Sequence, residues 1–477
     1  MSARPIPFVA KPGQRATSTT DARFVNVLFE IDKSPDPGSY PVQCLKRPGL
    51  STSTQPTGGA AVGRGVYHWA QTGSIYSVFA GDIYLNATKM TSTAAVSTST
   101  VAGRVWFAET PYPMARKLII CDGKDNYEVT STNVISQIDQ SDDAQYPIEN
   151  VGSMVVMDGY LFQAQASTNR LWNTDVNTTS SWAAASFLSV DMHAGELEAL
   201  LQQKDQIIAF TKTRTEFYFN NGNPTGSPLL RIDQNTLGFG LASKATLASA
   251  GETACFVSEA QADGNGGRSV YLVASLGKVS EIGDTTINRF LDAEGASVSS
   301  ASAWMETVAG QLIYCLNLAA ANRSFVYSVD SGMWKEWEAA GGGQFPIVSV
   351  TSKNGVVYAQ HASNGRIYTL QPAVYQDGGS NFTVTLQTSR SNFGSPFSKI
   401  EDEVTVVGDT TTGNLTVATS DDDYATWSST RTIDMSKPLK KLTRLGSFYS
   451  RAHRFAYADN YAFRVQAYLP GIRIGIG

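Results

Sequence analysis

Four histidines (His68, His193, His361, His453) and four cysteines (Cys44, Cys121, Cys255, Cys315) are the side chains best suited to hold a metal or serve as base or nucleophile. Their spacing supports neither role. No histidines stand at H-x-x-H or H-E-x-x-H distance and no cysteines form C-x-x-C, so zinc-peptidase, zinc-ribbon and thioredoxin-like chemistry is not expected. Cys255 in TACFVS and Cys315 in LIYCLN lie inside apolar runs, where a thiol behaves as a small core residue. A G-x-S-x-G elbow and a G-x-x-x-x-G-K-[ST] loop are both missing. The glycine-rich EAQADGNGGRS at 259–269 joins two strand-like runs with no helix behind it, and it lacks the alternating oxygens and closing Glu of a calcium loop. It is expected to be a hairpin loop. The sequence thus nominates no catalytic, cofactor-binding or metal-ligating residue, and no cofactor.

Two local patterns carry more information. SDDDYATW at 420–427 is close to the S-x-D-x-G-x-x-W turn known as an Asp-box, with Tyr424 where glycine is expected. In such a turn Ser420 and Asp422 cap backbone N–H groups between two strands and Trp427 packs beneath, which is a structural role. A sialidase would need several such boxes, three arginines on a carboxylate and a Tyr nucleophile, and one degenerate box does not supply them. The second pattern is the basic stretch at 435–455, with Lys437, Lys440, Lys441, Arg444, Arg451 and Arg454 among aromatics. It reads either as a solvated strand face or as a docking surface for an acidic partner or nucleic acid. Lys440 and Arg444 are expected to share one strand face.

The elements that must position these patterns are strands. The chain has 477 residues, 42% hydrophobic and only 17% charged, with a net charge of −5 and a pI near 5.5. Low charge fits an all-β composition rich in turns, or a surface largely covered in an assembly. Mild acidity disfavours gripping phosphates but suits a surface along which DNA slides without sticking. MSARPIPFVAKPGQ has no long apolar core and no window approaches 18 apolar residues, so neither a signal peptide nor a membrane helix is expected. Synthesis in a host cytoplasm follows from that expectation.

One phrase recurs: an apolar strand, a Gly/Asn/Asp turn, then a second strand with an aromatic near its start. Copies fall at 73–86, 117–129, 160–174, 206–219, 269–282, 312–329 and 356–370. Anchored on Ile83, Tyr127, Leu171, Phe217, Val279, Phe325 and Ile367, they recur at intervals of 44, 44, 46, 62, 46 and 42. A hairpin repeat of roughly 40–50 residues predicts a β-propeller, because each unit can bury its apolar face only against its neighbours. The expected organisation is an N-terminal arm or entry segment over 1–60, a propeller of six or seven blades over 61–375, and a small β-sandwich or barrel over 376–477. The arm is expected to hold one strand at 24–31, then a proline-rich run through Pro35, Pro37, Pro41 and Pro48. The 62-residue interval is expected to hold a surface loop and an extra strand. Short helices are expected at 195–205 and 284–294.

The order and spacing of RLWNTDVNTTSSWAAASFLSVD, LEALLQQKDQIIAFTKTRTEFYFNNGNP, ETACFVSEAQADGNGGRSVYLVASLGKVSEIGDTTINRFL and the closing VTVVGD…GNLTVATSDDDYATWS…RLGSFYSRAHRFAYA resemble a phage family. That family is the packaged-DNA stabilisation, or tail nozzle, proteins of short-tailed phages, and the resemblance spans about 150–460. It implies a structural β-propeller subunit of the virion tail, forming a homohexameric ring below portal and adaptor that closes on packaged DNA and opens at ejection. Its partners would be further copies of itself, the adaptor and portal, fibre, spike or needle proteins, and passing duplex DNA bound without sequence preference. The resemblance implies no catalytic residue. The alternatives are a receptor- or glycan-binding tail propeller, using the 8 tryptophans and 20 tyrosines as stacking platforms, and a sialidase-like hydrolase.

Overall fold

The computed structural model describes residues 5–9, 22–32, 40–91, 102–111, 114–190, 195–259, 267–274 and 278–475. Within them, seven four-stranded antiparallel units follow one another around an axis. From the innermost strand outward, blade 1 is Gly63–Trp69, Ser74–Phe79, Asp82–Leu85 and Thr88–Lys89. Blades 2, 3, 4 and 5 begin at Trp106–Glu109, Asn150–Met157, Leu197–Gln203 and Ala248–Ala250. Blade 6 begins at Ser302–Val308, and blade 7 at Ile347–Lys353. The propeller therefore has seven blades. Each pair of neighbours encloses its own apolar core, such as Trp69, Tyr76, Leu118 and Tyr127 between blades 1 and 2. Between blades 6 and 7 the core holds Trp304, Cys315, Trp337 and Phe345. This is the stacking that the repeat demands, since a lone four-stranded unit leaves both faces wet.

Six of the seven anchors sit on the third strand of a blade. Val279 does not: it lies on the fourth strand of blade 5, Lys278–Glu281, while the third is Val270–Ala274. The long interval therefore reflects a slip of one strand as well as a long connection. The expected extra strand there is Leu229–Arg231, the outermost strand of blade 4. A helix forms at Thr285–Glu294, where Asp284 accepts from the N–H groups of Thr286 and Ile287 at 2.8 Å and Ile287 and Leu291 are buried. Residues 195–205 give no helix. Leu197–Gln203 is an innermost strand buried on both faces, with Leu197 and Leu200 in one inter-blade core and Ala199 and Leu201 in the next. A strand apolar on both faces loses the alternation that would distinguish it from a helix.

The N-terminal strands are built into the fold rather than lying on it as an arm. Gly49–Thr54 pairs antiparallel with Ile367–Gln371 and supplies the outermost strand of blade 7. Asn26, at φ 57°, breaks the expected strand into Arg23–Val25 and Val27–Ile31, which enter different sheets. Arg23–Val25 pairs with Met333–Trp337 of blade 6 on one side and Val384–Gln387 on the other. Blade 6 thereby continues into a nine-stranded sheet that ends at Arg431–Asp434. Val27–Ile31 and Val42–Lys46 join Arg464–Ile474, Lys399–Gly408 and Lys441–Phe448 in a second sheet. The two sheets enclose Phe24, Phe29, Val404, Leu415, Phe455 and Tyr468, so the C-terminal strands form a sandwich that shares a sheet with the propeller.

Candidate functional site

All seven innermost strands line one axial cavity of about 550 Å³. Strands converge near the axis, and small polar side chains stitch them: Val66 N–H donates to Ser349 Oγ at 3.1 Å, His68 N–H to Thr351 Oγ1 at 2.9 Å, and Leu200 N–H to Ser153 Oγ at 2.7 Å. Arg104 crosses the cavity from the segment ahead of blade 2. Its Nη1 donates to the carbonyls of Ala245 (3.3 Å), Leu247 (3.0 Å) and Ala303 (3.4 Å) on the opposite side, and its guanidinium lies 4.5 Å from the Trp106 ring centroid. Trp106 in turn occupies the space above Gly152, where a Cβ would come within 2.6 Å of the indole at a φ of 97°. Arg104 and Trp106 thus narrow the axis, and a cavity of this volume has the dimensions of a small-molecule site. Nothing in the repeat pattern marks Arg104, because it precedes its strand; its only sequence signal is a lone arginine before an apolar strand.

The Asp-box-like turn lies at the outer end of the sandwich. Asp422 accepts from Ser420 Oγ and from Thr426 N–H at 2.9 Å each and from the Thr426 hydroxyl, while Ser420 Oγ accepts from Tyr424 N–H at 3.0 Å. The Thr426 bonds, first of all, hold the Asp422 carboxyl down at about 2. Tyr424 has the left-handed φ of 67° that glycine adopts easily, and its hydroxyl accepts from Arg390 N–H at 2.7 Å. Trp427 is half-buried, with the Arg454 guanidinium 3.7 Å from its ring centroid.

The six basic residues do not form one surface. Lys440 is buried, with Nζ 3.3 Å from Thr410 Oγ1. Arg451 is also buried: it grips Asp421 through two 2.8 Å bonds and Glu401 at 2.9 Å. Burial alone would raise the Glu401 carboxyl, but bonds from His453 at 2.9 Å and from Arg451 outweigh it and hold the pKa below its ordinary value. Arg454 is committed to Trp427 and to Gln387. Lys437, Lys441 and Arg444 remain exposed. Lys440 and Arg444 do not share a face, because Lys440 precedes the strand and Arg444 sits at a bulge with φ 63°. Charge in a sequence suggests exposure, yet Arg451 and Lys440 are buried with partners.

Among the described residues there is no cluster of three or more His, Cys, Asp or Glu able to hold a metal, and no helix long and apolar enough to cross a membrane. All four cysteines are buried and free, and burial pushes the Cys121 thiol up to about 12.

Comparison with known proteins yields one family. Solved structures similar to the chain include virginiamycin B lyase from Staphylococcus aureus, at 10% identity over 68% of this chain and 99% of that one, with a TM-score of 0.41. They also include the extracellular domain of the putative one component system BT4673 from B. thetaiotaomicron, at 11% identity over 88% of this chain and 57% of that one, with a TM-score of 0.43. No curated protein matches. The phage stabilisation family model, described as Bacteriophage P22 Gp10, beta-propeller, matches residues 16–375. The match takes in most of the N-terminal segment and all seven blades, and ends where the linker to the C-terminal strands begins. The chain belongs to this family of phage tail-nozzle, packaged-DNA-stabilising β-propellers.

Proposed function

We propose that this protein is a non-catalytic wall element of a phage tail conduit, assembled as a ring of six copies below portal and adaptor. In this reading the ring closes on packaged DNA and opens for ejection. The observation that carries it is the narrow axis. The propeller's own channel holds Arg104 over Trp106 and leaves only a small-molecule-sized cavity, so a duplex has no route through a single subunit. A conduit then has to lie between copies around a common axis, which is what a ring provides. The net charge of −5 supports a wall on which DNA is not held by phosphate contacts.

The exposed Lys437, Lys441 and Arg444 on the sandwich are the proposed docking surface for an acidic partner in the tail, with adaptor, fibre, spike or needle proteins as the candidates. Location in the virion tail follows from the family, and synthesis in the host cytoplasm belongs to the same proposal. The test is electron microscopy of the native particle with no symmetry imposed. A sixfold ring on the portal axis, with DNA density ending above or inside it, is the expected result. A peripheral position at a fibre or spike tip would overturn the reading in favour of a receptor-binding propeller.

A further inference from the structure

The axial cavity holds a cation with an unused edge. The hydrogen bonds of Arg104, a residue that lines the cavity, leave from Nη1, so the edge formed by Nε and Nη2 makes no bond to described residues. That edge is one of the two that can grip a pair of oxygens side by side. No acidic side chain among the described residues pairs with Arg104. Glu306, the acid that lines the same cavity, accepts instead from Thr307 N–H at 2.9 Å. Burial pulls the Arg104 pKa down to about 10, against the opposing influence of the Tyr314 phenol. A cation in a confined space without a counter-charge is costly, and the cost falls if an anion joins it. Trp304 borders the cavity, but its unpartnered Nε1–H is shut away within the core between blades 6 and 7 and is no part of the site. Small side chains and backbone from Ser249, Ala250, Gly251, Ser349 and Thr351 complete the lining.

We infer that the axial cavity is an oxyanion site, in which the Nε–Nη2 edge of Arg104 grips the two oxygens of a phosphate or carboxylate group. The volume of about 550 Å³ admits a small anion or an anionic metabolite rather than a polymer. Occupancy would neutralise a cation that links the segment before blade 2 to blades 5 and 6, and so tighten the ring of blades. This inference does not depend on how many copies assemble.

The test is calorimetric titration of the full chain with inorganic phosphate, and separately with malonate, against a sodium chloride blank of matched ionic strength. Saturable one-to-one binding is expected, with at least ~10-fold weaker affinity in Arg104→Gln, as fits loss of a charge-assisted bidentate contact. Arg104→Lys keeps the charge and removes the two-atom edge, so it reports on the bidentate grip if Arg104→Gln does not fold. Preference for phosphate or malonate assigns the class of oxyanion. A crystal of the full chain soaked in selenate gives an independent reading: an anomalous peak beside Arg104 supports the site. Binding that is absent, unsaturable, or equal in wild type and both variants overturns it, as does a selenate peak only at the outer surface.

Discussion

Arg47 and Asp377 form a buried ion pair, Nη2 to Oδ2 at 2.6 Å and Nη1 to Oδ1 at 3.0 Å, with Arg47 fully buried and Asp377 9% exposed. The pair joins the start of the chain to the connection that leaves blade 7. The same guanidinium donates to Asn26 Oδ1 at 2.8 Å and to the carbonyls of Pro48 and Glu338 at 2.9 Å, and it lies 3.7 Å from the Phe382 ring centroid. One side chain therefore ties together the N-terminal strands, the edge of blade 6 and the entry to the sandwich.

Arg47→Met should be among the most damaging substitutions in the chain. It strands the Asp377 carboxylate in a largely buried position and leaves two carbonyls without donors, and removing one partner of such a pair costs about 3–5 kcal/mol. Denaturant unfolding of the variant should show that loss. A change below about 1 kcal/mol would mean that water satisfies the junction.

Lys335 sits at the same junction on Met333–Trp337, fully buried, with an Nζ that has no partner in the described structure and lies 5.5 Å from the Phe29 ring centroid. Burial lowers its pKa from 10.5 to about 7. Between those two values the unfolded chain binds a proton that the folded chain does not, so stability rises with pH across that window, by at most about 1.4 kcal/mol per unit. Lys335→Met should be more stable than wild type at pH 7, and the advantage should shrink as pH rises toward 9. Parallel pH curves for the two proteins would show that Lys335 keeps its charge when folded.

Gly49 opens the strand that closes blade 7, and a Cβ there would lie 2.2 Å from the Gln376 carbonyl oxygen. The obstacle is backbone, so nothing can swing aside, and overpacking of this kind costs roughly 1–3 kcal/mol. Gly49→Ala should lower the melting temperature, and limited proteolysis should locate first cutting near residues 49–54 or 367–371. A wild-type cleavage pattern in the variant would refute this.

Tyr424 carries the strain of a left-handed backbone and recovers part of it by accepting from Arg390 N–H. Tyr424→Phe keeps the strain and loses the bond, at a cost of about 1 kcal/mol. Tyr424→Gly loses the bond and the strain together, so it should be the milder variant. If glycine proves the more destabilising in equilibrium unfolding, ring packing against Trp427, 6.1 Å away, outweighs both effects.

The propeller was legible because its physics is periodic. Ile83, Tyr127 and Leu171 recur at blade spacing because each sits on the third strand of its blade and is buried against a neighbour, Ile83 and Tyr127 in the core between blades 1 and 2 and Leu171 in that between blades 3 and 4. What stayed hidden depends on pairings between distant residues. Gly49–Thr54 reads as an unremarkable Ser/Thr run, and only its partner Ile367–Gln371 makes it part of a blade. Lys441–Phe448 is a strand whose alternation is obscured by Arg444 and Gly446, both at positive φ, so the sequence leaves it between a solvated strand face and a docking surface. Arg104 and Arg47 escape notice in the sequence, and Arg451 reads there as part of a solvated face or docking surface, for a common reason: a buried arginine is defined by what surrounds it, and those partners come from across the chain.

The placement of the chain's beginning also constrains the order in which this protein can mature on the ribosome. Gly49–Thr54 emerges roughly 300 residues before its partner strand, and Val42–Lys46 waits still longer for Arg464–Ile474. Both edges remain unsatisfied during nearly the whole of synthesis, a state in which strands pair with the wrong neighbour. Only the arrival of Arg464–Ile474 releases Val42–Lys46 from that hazard. A nascent chain stalled before residue 367 should therefore be protease-sensitive and sticky, and become resistant only once its final hundred residues are free of the exit tunnel.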